Sequence, residues 1–198
     1  MTRKQEAKNV LNSLGMPTRQ QSDICCLSLL ALLNLSPSTS WSVATNEWRR
    51  IHDLLVFLRA NYRGAKYAEN SRETFRKEAM HHFRTAALIE DNGVATNSPN
   101  YRYRVTAEAL SLFQSYGGPL WEMKLAAFRA AHKSLKEVYE SKKRVRKVPV
   151  RVDGVDYALS TGGHNQLQKA VVEEFAPRFA PGSKCLYLGD TVNRDLIK

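Results

Sequence analysis

The sequence is poor in cysteine, has no apolar run long enough to cross a membrane, and carries fewer acidic than basic residues. The adjacent pair Cys25 and Cys26 and the distant Cys185 match neither a zinc-site spacing nor a disulfide framework, and they are typical of a reduced, cytoplasmic chain. The apolar run over residues 24–35 falls short of the roughly 20 residues that span a bilayer. Residues 1–6 do not begin a signal-peptide pattern. We therefore expect a cytoplasmic protein with no membrane partner.

The shortage of acidic residues leaves a large positive charge. Lys and Arg number 30 against 19 Asp and Glu, which gives a net charge of +11 at pH 7. An excess of this size favours a polyanion as partner, and above all a nucleic acid. The alternative, that the charge only confers solubility, stays open. The hydrophobic fraction of 43% predicts a folded core rather than a disordered chain.

The first part of the chain shows mostly helical periodicity, and its middle follows the order of a winged helix. A helix is predicted over residues 46–62, and a basic helix follows from Asn70. Strands predicted at residues 87–90 and 101–105 then flank a turn-rich tip and would form the wing. We therefore expect a mainly α-helical DNA-binding domain with a winged helix-turn-helix over residues 1–145.

Basic side chains are concentrated where such a domain would contact DNA. A helix that enters the major groove needs polar side chains that reach base edges and phosphates. The basic helix, the wing and the basic run near residue 145 all provide them. The alternative is that these side chains only solvate the surface. The candidate DNA-binding residues in these segments are Arg72, Arg76, Lys77, Arg102, Arg104, Lys143, Arg144 and Arg146.

Two further elements separate this part from the C-terminal stretch. One long helix is predicted over residues 120–142. Its apolar stripe is expected to pack within the chain, and the alternative is the interface of a homodimer. Residues 148–159 predict a β-hairpin that turns at Asp153-Gly154.

The C-terminal stretch predicts a helix followed by a short buried strand. Apolar residues from Leu167 to Phe175 recur at helical spacing and predict a core-facing stripe. At about 100° per residue, Glu174 falls within roughly 20° of Leu167, on that stripe. A core-facing carboxylate needs a partner or a metal. Glu174 is therefore expected either to pair with Arg178 or to share a site with Asp190, which follows the strand predicted at residues 185–188.

Four strings of this stretch resemble a known family. They are Gly-Gly-His-Asn at 162–165, Glu-Glu-Phe-Ala-Pro-Arg-Phe at 173–179, Pro-Gly at 181–182 and Leu-Tyr-Leu-Gly-Asp-Thr at 186–191. They resemble the opening of the catalytic domain of the BsuBI/PstI family of type II restriction endonucleases. The resemblance implies a PD-(D/E)XK nuclease fold and Mg²⁺-dependent hydrolysis of phosphodiesters at a short palindromic site in double-stranded DNA. It also implies a cognate DNA methyltransferase encoded nearby.

The same resemblance implies roles for individual residues. Glu174 and Asp190 are the expected catalytic residues and metal ligands, and Glu173 is a second catalytic candidate. His164 and Asn165 are expected to contact DNA or to support these carboxylates.

The family's later catalytic strands lie beyond the position of Thr191. Residues 146–198 are therefore expected to form an incomplete, partial α/β catalytic domain. On this expectation the chain is truncated, binds DNA weakly and does not cut it. The alternative function is that of a non-catalytic winged-helix DNA-binding regulator.

Overall fold

The computed structural model describes residues 1–143, 147–189 and 196–197. The chain divides into two compact units, Met1–Tyr139 and Glu140–Lys198. It is mostly helical, with two small antiparallel sheets in the described ranges. Within the same ranges, no helix has the length and apolar character needed to cross a membrane.

The first unit is built from helices that begin at recognisable caps. Thr2 caps the first helix, because its side chain accepts a hydrogen bond from the backbone N–H of Gln5 at 3.2 Å. Thr106 caps another in the same way through Ala109 at 3.3 Å. The helices are α1 (Arg3–Ser13), α2 (Asp23–Leu32), α3 (Ile51–Asn61), α4 (Arg72–Phe75), α5 (His81–Thr85), α6 (Ala107–Gln114) and α7 (Trp121–Ala131). A further helix, α8 (Leu135–Lys143), begins in the first unit and ends in the second.

A π-helical turn, Arg76–Met80, joins α4 to α5. Residues 72–85 thus form one helical run, which we call the basic helix. Short 3₁₀ turns occupy Thr18–Gln21, Trp41–Val43 and Glu69–Ser71.

Helix α2 lies at the centre of the first unit. Every residue from Cys25 to Leu32 is buried, as expected for a helix that is apolar on all sides. It packs against α1, α3 and the π turn of the basic helix. Phe75, Phe83 and Phe113 are among the largest fully buried side chains around it. Each such ring contributes about 1.5–3 kcal/mol through its removal from water.

A small sheet lies beside the basic helix. Strands β1 (Ile89–Asp91) and β2 (Tyr103–Val105) pair antiparallel. Arg49 joins their sheet by an isolated antiparallel bridge to Tyr103, with backbone N–O distances of 2.8 and 2.9 Å. Helix α3, the basic helix and the hairpin therefore follow one another along the chain, and a short extended segment before α3 completes the sheet.

The single long helix expected over residues 120–142 is wrong. The structure has two helices, α7 and α8, with a break at residues 132–134. Ser134 and Glu137 form a capping box there. The Ser134 hydroxyl accepts from the Glu137 N–H at 3.2 Å, and the Glu137 carboxylate accepts from the Ser134 N–H at 2.7 Å. This reciprocal pair satisfies two backbone donors and starts α8 as a separate helix.

The second unit begins with the hairpin that the sequence predicts. Strands β3 (Val148–Val152) and β4 (Val155–Leu159) pair antiparallel in the register Val152↔Val155. Asp153 and Gly154 form the two-residue turn with φ of +50° and +82°. Positive φ at both positions is the geometry of a type I′ turn, which suits the twist of a hairpin.

Helix α9 (Gly163–Ala170), a π-helical turn (Val171–Phe175) and α10 (Ala176–Phe179) continue as one run, which we call the C-terminal helix. The expected core-facing stripe on this helix is wrong: Leu167 is 62% exposed and Phe175 is 55% exposed. Val172 packs on the hairpin instead. Three polar side chains also hold the helix in place. Asn165 donates to the backbone carbonyl of Ser160 and Gln168 to that of Gly189, while Glu173 accepts from the backbone N–H of Arg151.

The strand expected at residues 185–188 is also absent from the described residues as a regular element. Leu188 forms an isolated antiparallel bridge with Ile197 and joins a small core with Val150, Val152 and Leu159. The partial α/β arrangement that the sequence predicts is therefore present only as a hairpin, a helix and this bridge.

Candidate nucleic-acid interface and catalytic helix

The exposed face of the basic helix carries the cations predicted from the sequence, and each of them is paired with a carboxylate. The Arg76 guanidinium donates from Nε and Nη2 to the two oxygens of Glu73 at 2.8 and 2.6 Å. Lys77 Nζ lies 3.2 Å from the same carboxylate. Arg72 Nε lies 3.6 Å from Glu69. The positive charge of this face is therefore partly neutralised, since Arg72, Arg76 and Lys77 share the two carboxylates of Glu69 and Glu73.

Glu73 is the acceptor that connects two of these cations. Its pKa is lowered to about 2, chiefly by the hydrogen bond from Arg76 and then by that from Lys77. The carboxylate therefore stays ionised far below neutral pH. The negative charge that attracts Arg76 and Lys77 is therefore present at neutral pH.

A cleft of about 640 Å³ opens between the start of α3, the basic helix and the tip of the β1–β2 loop. Its walls combine cations with hydroxyl and amide groups, which suits a polar, anionic ligand. The residues that line it are Arg50, Ile51, His52, Arg72, Glu73, Arg76, Thr96, Asn97, Ser98, Pro99, Tyr101 and Tyr103.

The two arginines of the predicted wing differ in their availability. Arg104 donates to Glu90 at 2.6 Å, and its guanidinium lies 4.3 Å from the centroid of the Trp48 ring. This arginine is held against the sheet by an ion pair and a cation–π contact. Arg102 is exposed and forms no ion pair with any other described residue. The structure thus leaves Arg102 as the cation of the wing that is free to bind.

The cations of the basic run fall largely outside the described residues. Arg144 and Arg146 both lie outside them, and Lys143 is placed only as the last residue of α8.

On the C-terminal helix, Asn165 is buried and His164 is exposed. Asn165 is 6% exposed, and its amide donates to the backbone carbonyl and the hydroxyl of Ser160 at 2.8 and 2.9 Å. Its carbonyl oxygen accepts from Gln168 at 3.0 Å. These bonds occupy both the amide nitrogen and the carbonyl oxygen of Asn165, so its side chain is held within the second unit. Of the two expected roles, the arrangement fits support of the site, whereas His164 is placed where it can reach a ligand.

Gln168 is a positioning residue that the sequence reasoning missed. Its side-chain amide donates to the backbone carbonyl of Gly189 at 3.1 Å as well as to Asn165. The helix thereby holds the residue that directly precedes Asp190, while Asp190 itself lies outside the described residues. The spacing of Asn165 and Gln168, three residues apart on one helix face, is a signal from which a shared network is predictable.

The neighbouring carboxylates Glu173 and Glu174 have different surroundings. Glu173 accepts a hydrogen bond from the backbone N–H of Arg151 at 2.8 Å and lies 3.6 Å from Lys169 Nζ. Glu174 is exposed. The ion pair between Glu174 and Arg178, offered as one alternative from the sequence, is absent among the described residues.

The carboxylates among the described residues of this helix could contact a divalent cation through one side chain. No group of three or more His, Cys, Asp or Glu side chains that could hold a metal occurs within the described ranges. Mg²⁺, however, binds through one or two carboxylates together with water and phosphate oxygens. Glu174 can provide one such carboxylate, whereas one oxygen of Glu173 is already committed to the sheet.

Comparisons with known proteins cover both units. Residues 1–137 match the model of the BsuBI/PstI restriction endonuclease HTH domain, and residues 148–198 match the model of the BsuBI/PstI restriction endonuclease domain. Over 191 residues the chain is 38% identical to the type II restriction enzyme BsuBI of Bacillus subtilis, covering 94% of this chain and 60% of that protein. It is 29% identical over 193 residues to the type II restriction enzyme AplI of Arthrospira platensis, covering 95% of this chain and 59% of that one.

A solved structure agrees with these relatives. The SdaI restriction endonuclease superposes with a TM-score of 0.61 at 32% identity, covering 96% of this chain and 60% of that chain. The chain thus spans about 60% of the length of the proteins it matches. With family models matching both of its parts, the chain belongs to the BsuBI/PstI family of restriction endonucleases.

Proposed function

We propose that this chain provides the DNA-binding and part of the catalytic machinery of a type II restriction endonuclease. The proposed reaction is Mg²⁺-dependent hydrolysis of phosphodiesters at a short palindromic site in double-stranded DNA. The observation that carries the proposal is that both parts of the chain, residues 1–137 and 148–198, match this one family. A homodimer, a cognate DNA methyltransferase as genetic neighbour and a cytoplasmic location belong to the same proposal.

Residues 1–145 are proposed to form a winged helix-turn-helix domain that binds DNA. The order of α3, basic helix and hairpin supports this assignment. So does the isolated antiparallel bridge from Arg49 to Tyr103, because it attaches the segment before α3 to the edge of the two-stranded sheet that would form the wing. In this arrangement the basic helix would enter the major groove and Arg102 would contact the backbone beside it.

Residues 146–198 are proposed to belong to the catalytic domain, with Glu174 and Asp190 as the groups that would hold Mg²⁺. When bound, Mg²⁺ supplies electrostatic stabilisation of the charge that develops on the phosphate oxygens. Glu174 is favoured over Glu173 because its carboxylate is exposed, while that of Glu173 bonds to the backbone of β3. Asn165 and Gln168 would support Asp190 through Gly189, and the exposed His164 could contact a phosphate.

The test combines selection of a DNA site with a cleavage assay. Duplexes with a randomised centre are selected for binding, and the enriched duplex is then incubated with protein and Mg²⁺. The proposal expects enrichment of a palindrome, binding that Mg²⁺ strengthens in wild type but not in Glu174→Gln, and no cleavage products from this chain alone. The control is Gln166→Ala, an exposed neighbour on the same helix, which should behave as wild type.

The outcomes separate the parts of the proposal. Specific binding that Mg²⁺ does not change would favour a non-catalytic DNA-binding role, and cleavage products would overturn the expectation that this chain does not cut DNA. An effect of Mg²⁺ that persists in Glu174→Gln would refute the assignment of Glu174. Failure to enrich any duplex would overturn the DNA-binding role of the first unit.

A further inference from the structure

We infer that Glu73 is a specificity-determining residue, which holds Arg76 side-on so that the free end of the guanidinium reads a guanine. The inference rests on the proposed DNA-binding function of the first unit. It adds that Arg76 is the residue that contacts a base and that this base is guanine. It arises from the geometry of the Glu73–Arg76 pair in the cleft beside the basic helix.

The geometry of the pair leaves a defined edge of Arg76 unused. An arginine has five N–H donors in a planar fork. Glu73 takes the Nε–H and one Nη2–H, at 2.8 and 2.6 Å. Both hydrogens of Nη1 and one of Nη2 remain, and no other described residue bonds to them. This end-on edge is the one that matches the O6 and N7 acceptors of guanine in the major groove.

The pair lies in a cleft that a ligand can enter. Arg76 and Glu73 line the cleft together with Tyr101 and the loop tip at residues 96–99. Side-chain exposure of Arg76 is 44%, so the guanidinium is accessible. Because its torsions are already fixed by two hydrogen bonds, less side-chain freedom is lost when it binds a base.

Glu73 also lowers the affinity of this face for phosphate. Its carboxylate offsets one of the two positive charges of Arg76 and Lys77, and cations paired in this way release fewer counterions on binding the DNA backbone. Glu73 therefore weakens the non-specific binding of DNA, while the contact between Arg76 and guanine is kept. A carboxylate among the cations of a reading helix therefore raises the ratio of specific to non-specific affinity.

The test compares Glu73→Gln with Glu78→Gln in the same 198-residue chain. Glu78 lies on the same helix and pairs with Arg19 at 2.9 Å, but it does not line the cleft. Both variants remove one negative charge. Glu73→Gln removes the ion pairs with Arg76 and Lys77, and Glu78→Gln removes the ion pair with Arg19. Binding is measured to the duplex enriched by wild type and to a scrambled duplex, across a range of salt concentrations. Circular dichroism checks that each variant is folded.

Glu73→Gln is expected to bind the scrambled duplex more tightly, with a salt dependence steeper by about one phosphate contact. Its ratio of specific to non-specific affinity should fall about tenfold. Glu78→Gln should leave that ratio within about twofold of wild type. A second variant, Arg76→Lys, keeps the charge but loses the fork, and should lose specificity with little loss of non-specific affinity.

Base analogues identify the base that is read. Each guanine of the enriched duplex is replaced in turn by 7-deazaguanine, which lacks the N7 acceptor. In wild type, one replacement should weaken binding about tenfold, and in Arg76→Lys the same replacement should have no effect. If Glu73→Gln and Glu78→Gln change specificity equally, or if no guanine depends on Arg76, the inference is wrong while the DNA-binding function stands. If wild type enriches no duplex, the proposed function fails and this inference falls with it.

Discussion

Replacing the buried Asn165 by alanine should destabilise the second unit selectively. The amide of Asn165 donates twice to Ser160 and accepts once from Gln168. At about 1 kcal/mol net for each hydrogen bond, their loss costs about 3 kcal/mol. The higher helix propensity of alanine offsets about 0.5 kcal/mol of this. We therefore expect the free energy of opening of the second unit to fall by about 2.5 kcal/mol.

Amide hydrogen exchange, read by mass spectrometry of peptides, measures this change. A fall of about 2.5 kcal/mol corresponds to exchange faster by about 60-fold. The acceleration should appear in peptides from β3, β4 and the C-terminal helix. Peptides from residues 1–139 should keep the wild-type rates and act as an internal reference. Tryptophan fluorescence provides a second reference, because all the tryptophans lie in that first unit.

This prediction has a matched control variant and defined outcomes that would contradict it. Gln166→Ala alters the adjacent, exposed position of the same helix and should leave exchange near wild type. An acceleration below about threefold in Asn165→Ala would show that the three bonds add nothing net to stability. Equal acceleration in Gln166→Ala, or in both units, would also refute the reasoning.

Further predictions concern the first unit. Gly15→Ala should lower the free energy of unfolding by at least about 1 kcal/mol in urea denaturation, because Gly15 has φ of +71° and an added Cβ would lie 2.8 Å from Ser134 Cβ. The side-chain carboxyl of Glu73 should titrate near pH 2 in carbon NMR, and a midpoint near the pKa of 4.5 of an ordinary glutamate would contradict its ion pairs with Arg76 and Lys77. Burial lowers the pKa of His82 below 6.5, so its protonation favours the unfolded chain. The urea midpoint should therefore fall as the pH drops through 6.5, and it should fall less in His82→Gln.

Elements that depend on local signals are predictable from this sequence. The β3–β4 hairpin forms in the expected register because Asp153-Gly154 accepts positive φ at both turn positions. The break between α7 and α8 is equally local, since Ser134 and Glu137 have the spacing of a capping box. Sequence reasoning that weighs apolar periodicity alone overlooks it.

Elements that depend on distant partners are not predictable in the same way. Helix α3 begins at Ile51 rather than near residue 46, because Arg49 is held extended by the backbone of Tyr103, more than 50 residues away. Distant partners also decide which arginine of the predicted wing is free to contact DNA. Arg104 is occupied by Trp48 and Glu90, and no local pattern connects these three residues.

The free positive charge of the basic helix depends on how its side chains pair as well as on how many of them are basic. The sequence predicts a positive face from Arg72, Arg76 and Lys77, yet carboxylates one turn away pair with all three. Those pairs follow the spacing of three and four residues at which helix side chains meet. A count of basic residues therefore overstates the free positive charge of this face.

The two adjacent carboxylates of the C-terminal helix differ in their surroundings for a reason that lies in the sheet. In the register of β3 and β4, the backbone of Pro149 and Arg151 faces away from the hairpin. Proline has no N–H, so Arg151 offers the donor on that edge, and Glu173 accepts it at 2.8 Å. An edge donor satisfied in this way cannot recruit another strand. The neighbouring Glu174 has no such duty among the described residues, and an exposed carboxylate without a structural partner is the one that a metal and a phosphate can reach.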